Sequence, residues 1–575
     1  MSTMRKPIVA AATTALVAVG LAACGGGSTS GGSSDSEGSK GGTLHYLTFR
    51  NAEHLDPQRV YIGRDLVNLN RTVYRGLVTF PVAEDPEKAA TPVADVATDT
   101  GTPSEDAKTW EFTIRDDVTW EDGKPVTCED FKYGISRSFA TDVITGGPNY
   151  ILGFLDVPKG ADGLPLYNGP YQGDNQADYD KAVTCDGAKL TLRFNKPWPD
   201  FNLAAASLRS FDPYREDKDQ GEKNNYVIFS NGPYKLEGKW NPTQGGTLVR
   251  NTEYDEASDE TGTRDALPDK IVFTQGVTDE TIYDRLIADS GDDQFAVTDR
   301  RVPPAYYTQI SGPVEERSVL VDAPYVDYVL PNFNRIKNLK VRQALMLATN
   351  AQGNITASGG EKAARPAKSI VHPAVIGYQD NPNFTAPLEG DPEAAKALLE
   401  ESGEKVPYPL KYTYSGGTPT SDKAAAALAE TWGKAGFKVT LDPLTDTYYT
   451  VIQKPAADFD VAWGGWGADW PSISTVIPPL FDSRINLTAE SNGQDYGNYK
   501  SDQVNKMIDE AASLTNVEDQ AAKYAEIDDQ LGKDVAYIPL QIEQFYFLRG
   551  SKVTGYINTP ASNGFVDLGP IGVEN

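Results

Sequence analysis

The densest concentration of chemically capable residues is Val461-Ala462-Trp463-Gly464-Gly465-Trp466-Gly467-Ala468-Asp469-Trp470-Pro471. The segment Phe459 to Trp463 reads as a short buried strand and leads into the cluster's three glycines, three tryptophans and one carboxylate, Asp469. Glycine lets a second backbone approach closely, and tryptophan supplies broad apolar walls. Two readings stand on these residues alone. Either Gly465, Gly467, Trp463, Trp466, Trp470 and Asp469 line a ligand site, or the tryptophans are core and Asp469 caps the following turn.

Catalytic signatures are missing. The chain has no P-loop, no G-x-S-x-G, no H-E-x-x-H and no EF-hand loop. Ser402-Gly403-Glu404-Lys405 fits S-x-x-K, but no K-T-G accompanies it and Gly403 serves as a helix stop. Among 81 acidic residues nothing singles out a glycosidase pair. His45, His54 and His372 are the only histidines, and Cys24, Cys128 and Cys185 the only cysteines; no two lie at zinc-ligand spacing. No catalytic residue, metal or cofactor is expected. A net charge of −28 repels phosphate backbones, which argues against a nucleic-acid partner.

The N-terminus reads as an export signal. Arg5 and Lys6 precede an apolar run from Ile8 to Leu21, whose 14 residues fall short of the roughly 20 needed to span a bilayer. Leu21-Ala22-Ala23-Cys24 resembles the lipobox of bacterial lipoproteins. The resemblance implies cleavage after Ala23 and a lipid on Cys24, placing the protein on the outer face of the cytoplasmic membrane; the other reading is an ordinary signal peptide with a stray cysteine. Of the 18 residues from Gly25 to Gly42, 14 are Gly or Ser, so a flexible tether is expected, with a reach of about 25 Å. With Cys24 acylated, Cys128 and Cys185 remain, in an oxidising compartment. A disulfide is expected over two free thiols, closing a loop of about 58 residues.

The elements that must position the cluster are mixed α and β. Trp110, Phe112 and Ile114 alternate as a strand, and Thr127-x-x-Asp130 predicts a capped helix to about Phe139. Asp391-Pro392 starts a helix that Gly403 ends. A strand at Leu410 to Tyr414, a helix from about Ser421 and a strand at Phe437 to Leu441 predict a parallel pair in an α/β lobe. Two helices follow, around Val504 to Ala511 and Tyr524 to Leu531.

Several segments together resemble the family 5 extracellular solute-binding proteins, the oligopeptide and dipeptide receptors of ABC importers. They are Gly41-Gly42-Thr43-Leu44 with Leu55-Asp56-Pro57, Val73-Tyr74-Arg75-Gly76-Leu77, the block Trp110 to Phe139, Asn231-Gly232-Pro233-Tyr234, Val341-Arg342-Gln343-Ala344-Leu345, Asp391-Pro392-Glu393-Ala394, and Tyr537-Ile538-Pro539-Leu540. The resemblance implies a type II, periplasmic-binding-protein-like fold of two lobes with a hinge. Residues 43–322 plus 540–575 would form lobe I, with an extra subdomain at 81–190, and 323–539 lobe II; 1–23 is the signal peptide and 24–42 the lipidated cysteine and linker. It also implies that Asp469 pairs with a peptide's α-amino group. Gly465, Gly467, Tyr61, Ile62 and Gly63 match backbone-contacting positions, and Trp463 and Tyr448 match side-chain pockets. Gln541 stands where many relatives carry an aromatic, which implies a shift toward polar ligand side chains. The expected function is a monomeric, lipid-anchored oligopeptide receptor delivering ligand to an ABC permease, with no other membrane contact. An oligosaccharide receptor is the alternative, and a secreted hydrolase a distant one.

Overall fold

The computed structural model describes residues 40–146, 150–259, 262–557 and 562–574. The expected signal peptide and Cys24 lie outside these residues, as does the tether up to residue 39. The last tether residues are already bonded to the body: Gly41 N–H donates to the Leu267 carbonyl at 2.9 Å, and Gly42 accepts from Asp269 N–H at 2.9 Å. Among the described residues no helix is long and apolar enough to cross a membrane.

Three sheets carry the architecture. In the first, strand Thr43–Leu47 lies parallel to both Lys270–Thr274 and Ala296–Thr298, and an antiparallel hairpin, Tyr234–Asn241 with Gly245–Arg250, extends it. The second has four antiparallel strands, Thr102–Pro103, Thr109–Thr113, Lys189–Arg193 and Val183–Asp186. Trp110 and Phe112 turn inward from it, as their alternation predicts, onto a core that continues through Phe201 to Phe211. Helix Cys128–Arg137 covers this sheet, opened by a complete capping box between Thr127 and Asp130. Cys128 is bridged to Cys185 of strand Val183–Asp186, joining helix to sheet.

The third sheet has six strands, in the order Ala364–Pro366, Ile538–Leu548, Ser318–Pro331, Val461–Gly467, Tyr408–Ser415 and Phe437–Leu444. Tyr408–Ser415, helix Pro419–Lys434 and Phe437–Leu444 form the expected parallel βαβ unit, paired over eight residues. Thr418 caps the helix with a capping box, and Leu428 and Trp432 bury its inner face.

Strands Ser318–Pro331 and Ile538–Leu548 are longer than the rest and run antiparallel as a ribbon. At one end, Tyr546 and Leu548 pack with Leu47 and Ile282 beside the first sheet. At the other, Val329, Ile538 and Leu540 enter the core of the βαβ unit. The ribbon's register slips twice, between Asp322 and Val326 and between Asp327 and Tyr328. Such bulges bend and twist a strand locally, so the ribbon is kinked between Asp322 and Tyr328.

Buried arginine–aspartate pairs stiffen the first lobe. Asp56, of the Leu55-Asp56-Pro57 segment, accepts from Gln58 N–H and pairs with Arg137 at 2.6 Å, both fully buried. Arg264 and Arg75 share Asp95 at 2.6 and 2.7 Å, and Arg71 ties the C-terminal Asp567 to helix Gly63–Thr72 at 3.0 Å. Asn231 accepts from Arg75 N–H and donates to the Arg75 carbonyl, which places the Gly232-Pro233-Tyr234 loop.

The bridge closes a span of 57 residues. In the chain-entropy description its removal costs about 4 kcal/mol through the freed unfolded chain. The double variant Cys128→Ser, Cys185→Ser should therefore unfold at lower urea, followed by tryptophan fluorescence. An unchanged midpoint would contradict a stabilising bridge.

Candidate functional site

Side chains alternate across a strand, and directly opposed residues of paired strands share a face. Strand Val461–Gly467 pairs with Ser318–Pro331 so that Trp463 opposes Val329, Gly465 opposes Asp327, and Gly467 opposes Tyr325. Gln541, across the ribbon from Asp327, joins the same face. Gly464 and Trp466 oppose Tyr328 and Val326 on the other face, which is core.

This alternation sorts the tryptophans. Trp463 borders a cavity of about 720 Å³, while Trp466 faces the opposite way and donates its indole N–H to the Thr475 carbonyl at 3.0 Å. Trp470 leaves the sheet altogether. It is only 3% exposed, packs against Trp198 and Tyr150, and donates its indole N–H to Asp200 at 2.9 Å. Ser474 donates to the same Asp200 oxygen at 2.8 Å. Trp466 and Trp470, expected as ligand contacts, both use their indole N–H groups to anchor the loop after the strand. Tyr448 is buried and donates its hydroxyl to the Trp463 carbonyl.

The glycines have a local cause as well. A Cβ at Gly464 would come 2.4 Å from the Tyr328 ring, one at Gly467 2.6 Å from the Tyr325 ring, and one at Gly465 2.9 Å from an Asp327 oxygen. Bulky residues on the neighbouring strand therefore demand glycine here.

The strand's other edge is open. Its parallel partner Tyr408–Ser415 pairs with it only at Val461 and Ala462, opposite Tyr412 and Thr413. Beyond that point the two diverge, and Tyr412, Tyr414, Ser415 and Trp463 all border the cavity. Among the described residues no strand covers the edge of 463–467 on this side. An uncovered edge offers backbone N–H and C=O groups to an incoming strand.

Asp469 lies just past this edge, against Tyr61 and Tyr150. Its Oδ1 accepts the Tyr61 hydroxyl at 2.7 Å and its Oδ2 accepts the Tyr150 hydroxyl. Its own N–H donates to Thr475 Oγ1 at 3.1 Å. Burial pushes the Asp469 carboxyl above its ordinary range, and the two tyrosine hydrogen bonds oppose that rise. Among the described residues no lysine or arginine pairs with it. A carboxylate has about four acceptor positions, so two hydroxyls leave capacity for a cationic donor.

Tyr61 is 43% exposed and Ile62 also faces solvent, just before helix Gly63–Thr72. Ile62 borders the large cavity, and Gly63 approaches the Tyr325 hydroxyl. The structure thus brings Ile62, Trp463 and Gln541 to one cavity. Asp469 and Trp470 instead border a separate small cavity of about 60 Å³. Gln541 spends both ends of its amide on protein, donating to Asp327 and accepting from Asn354, each at 2.9 Å.

Sequence reasoning missed Tyr150, Asp200 and Asp327. The first two carry no local signal, being set by packing 270 or more residues away. Asp327 has one: it is a lone carboxylate in the apolar run Tyr325 to Leu330. No three His, Cys, Asp or Glu among the described residues are grouped to hold a metal ion.

The pattern of the bacterial extracellular solute-binding proteins, family 5 (middle region), matches residues 91–487. The chain belongs to this family of extracellular solute-binding proteins. Across its length, a family 5 relative, the periplasmic oligopeptide-binding protein OppA of Escherichia coli K12, is 24% identical over 536 residues, 88% of this chain and 87% of that one. A probable deoxycholate-binding periplasmic protein, YgiS, of the same organism is 24% identical over 459 residues, 78% of this chain and 80% of its own. Among solved structures, clavulanic acid biosynthesis oligopeptide binding protein 2 superposes with a TM-score of 0.83 at 24% identity, covering 93% of this chain and 96% of its own. The family 5 chain thus has the two-lobed type II fold.

The hydroxyls on Asp469 make its acidity testable. Tyr150→Phe removes a hydrogen bond that favours the ionised carboxylate, so the Asp469 pKa should rise further above its wild-type value. Carbon-13 titration of the aspartate carboxyls, with Asp469→Asn for assignment, measures this. A lower or unchanged pKa would contradict the assigned role of Tyr150.

Proposed function

We propose that this family 5 protein is an oligopeptide receptor, anchored by lipid at Cys24 to the outer face of the cytoplasmic membrane, that hands its ligand to an ABC permease. The observation carrying the proposal is the open strand edge at 463–467 ending beside Asp469. A receptor for varied sequences must use what all peptides share: the backbone and the charged N-terminus. Strand addition reads backbone without reading side chains, and a buried carboxylate reads an ammonium group. Tyr61 and Tyr150 orient Asp469, and Trp463, with Tyr448 behind its carbonyl, walls the first side-chain pocket. The name of the OppA relative supports peptides as the ligand class.

Lobe I in this proposal comprises 43–322 and 540–575, with the 81–190 subdomain, and lobe II comprises 323–539. The bulges near Asp322 and Asp327 supply the hinge, and the lobes close on ligand by rotation about it.

Gross attraction between an ammonium and a carboxylate 4 Å apart is about 4 kcal/mol at an effective dielectric of 20. Removing one partner of a buried charge pair costs roughly 2–5 kcal/mol. Asp469→Asn should therefore weaken binding of a free tripeptide about 30-fold or more, since 1.4 kcal/mol is tenfold. N-acetylation of the peptide should weaken the wild type similarly and the variant little further. The pairing needs ionised Asp469, and its pKa is raised. Affinity should thus fall as pH drops through that raised value, above the range of an ordinary aspartate, while the acetylated peptide shows no such loss. Calorimetry decides, with a cello-oligosaccharide as the comparison. Binding of the sugar and of neither peptide would favour an oligosaccharide receptor and refute this reading.

The anchor has its own test. Cys24→Ala should accumulate uncleaved or mislocalised precursor in cell fractions. Normal processing with unchanged membrane retention would refute lipidation.

A further inference from the structure

Asp327 is a buried carboxylate, and among the described residues no cation is paired to it. It is 5% exposed and stands on the sheet face shared with Trp463 and Gly465, where it borders the 720 Å³ cavity. Its Oδ2 accepts the Gln541 amide N–H at 2.9 Å, and Gln541 is itself held by Asn354, which also borders the cavity. Its Oδ1 is without a hydrogen-bond partner among the described residues. That oxygen sits beside Gly465, where a Cβ would stand 2.9 Å from it and 3.3 Å from the Trp463 ring. Glycine at 465 therefore leaves the carboxylate and the indole edge together at the cavity wall.

The charges around Asp327 do not neutralise it. Burial pushes its pKa well above the ordinary carboxylate range; Glu543, on the adjacent strand and itself paired with Arg301 at 2.5 Å, raises it further, while the Gln541 bond and Arg301 act in the opposite direction. The hydroxyls of Tyr328, Tyr412 and Tyr449 are the other titratable groups within its field. Asp299, across the cavity, differs because Arg64 pairs with it at 2.5 Å. Buried carboxylates are ordinarily paired or fully hydrogen-bonded. A strand residue with only a structural role here would be apolar like its neighbours.

We infer that Asp327 is the floor of a ligand side-chain pocket selecting a cationic side chain of the bound peptide, with Trp463 as its wall. Gln541 and Asn354 are positioning residues that hold the carboxylate in place. An indole wall suits both the alkyl stem and the charged head of such a side chain. The inference rests on the peptide reading above and adds a preference to it.

The test is calorimetry with tetra-alanine and its four single-lysine and four single-norleucine derivatives, against wild type, Asp327→Asn and Gln541→Leu. At one position lysine should bind wild type at least tenfold tighter than norleucine. Asp327→Asn should abolish that advantage and Gln541→Leu should reduce it, lysine and norleucine peptides being compared within each variant. A wild-type series with no lysine advantage at any position overturns the inference, whether or not the variants fold. Survival of the advantage in Asp327→Asn overturns it too. If tetra-alanine binds and lysine confers nothing, only this inference falls. If no tetrapeptide binds wild type, the peptide reading falls and this inference with it.

Discussion

The divergence of two neighbouring strands after Ala462 is the constraint on which the rest depends. Up to that residue strand Val461–Gly467 is sandwiched; beyond it, one edge is free and a cavity opens. Everything nearby follows from holding that edge in place without covering it. The ribbon strand Ser318–Pro331 supports the opposite edge along its whole length. Tyr325, Asp327 and Tyr328 press against it so closely that three positions must be glycine. Beyond the strand's far end, Trp470 and Ser474 bond Asp200 and Asp469 meets two tyrosines.

The first lobe can serve as a fixed wall because its buried charges are paired. Asp56 and Arg137, at 2.6 Å, hold the turn that leads into Tyr61, so the segment facing Asp469 rests on a rigid base. Removing either partner would leave a buried charge uncompensated, which costs far more than the pair contributes. The ribbon, by contrast, concentrates its irregular backbone between Asp322 and Tyr328.

Features set by neighbours in sequence were legible in the chain. The Thr127 capping box, the Asp391-Pro392 helix start and the strand–helix–strand unit each depend on residues within a few positions, and each is found in the structure. The Gly/Trp cluster was legible as a special place, and the disulfide as an even pair of cysteines in an exported chain. The duties of individual residues in the cluster were not. Strict alternation sends Trp463 and Trp466 to opposite faces, but only once the strand's limits are known. Trp470 belongs to a core built around Trp198, which no local pattern reveals. Gln541 was legible as a polar residue of the site, but its bonds to Asp327 and Asn354 were not.

The central claim is that ligand is held by its backbone along residues 463–467 and by its amine at Asp469. A crystal structure of the protein with a bound tripeptide tests this most directly. The account predicts an extended peptide hydrogen-bonded to backbone groups of that edge, with its ammonium nitrogen within about 3.2 Å of an Asp469 oxygen. A peptide seated elsewhere in the cavity, with the 463–467 edge uncovered and Asp469 bonded only to Tyr61 and Tyr150, would contradict it.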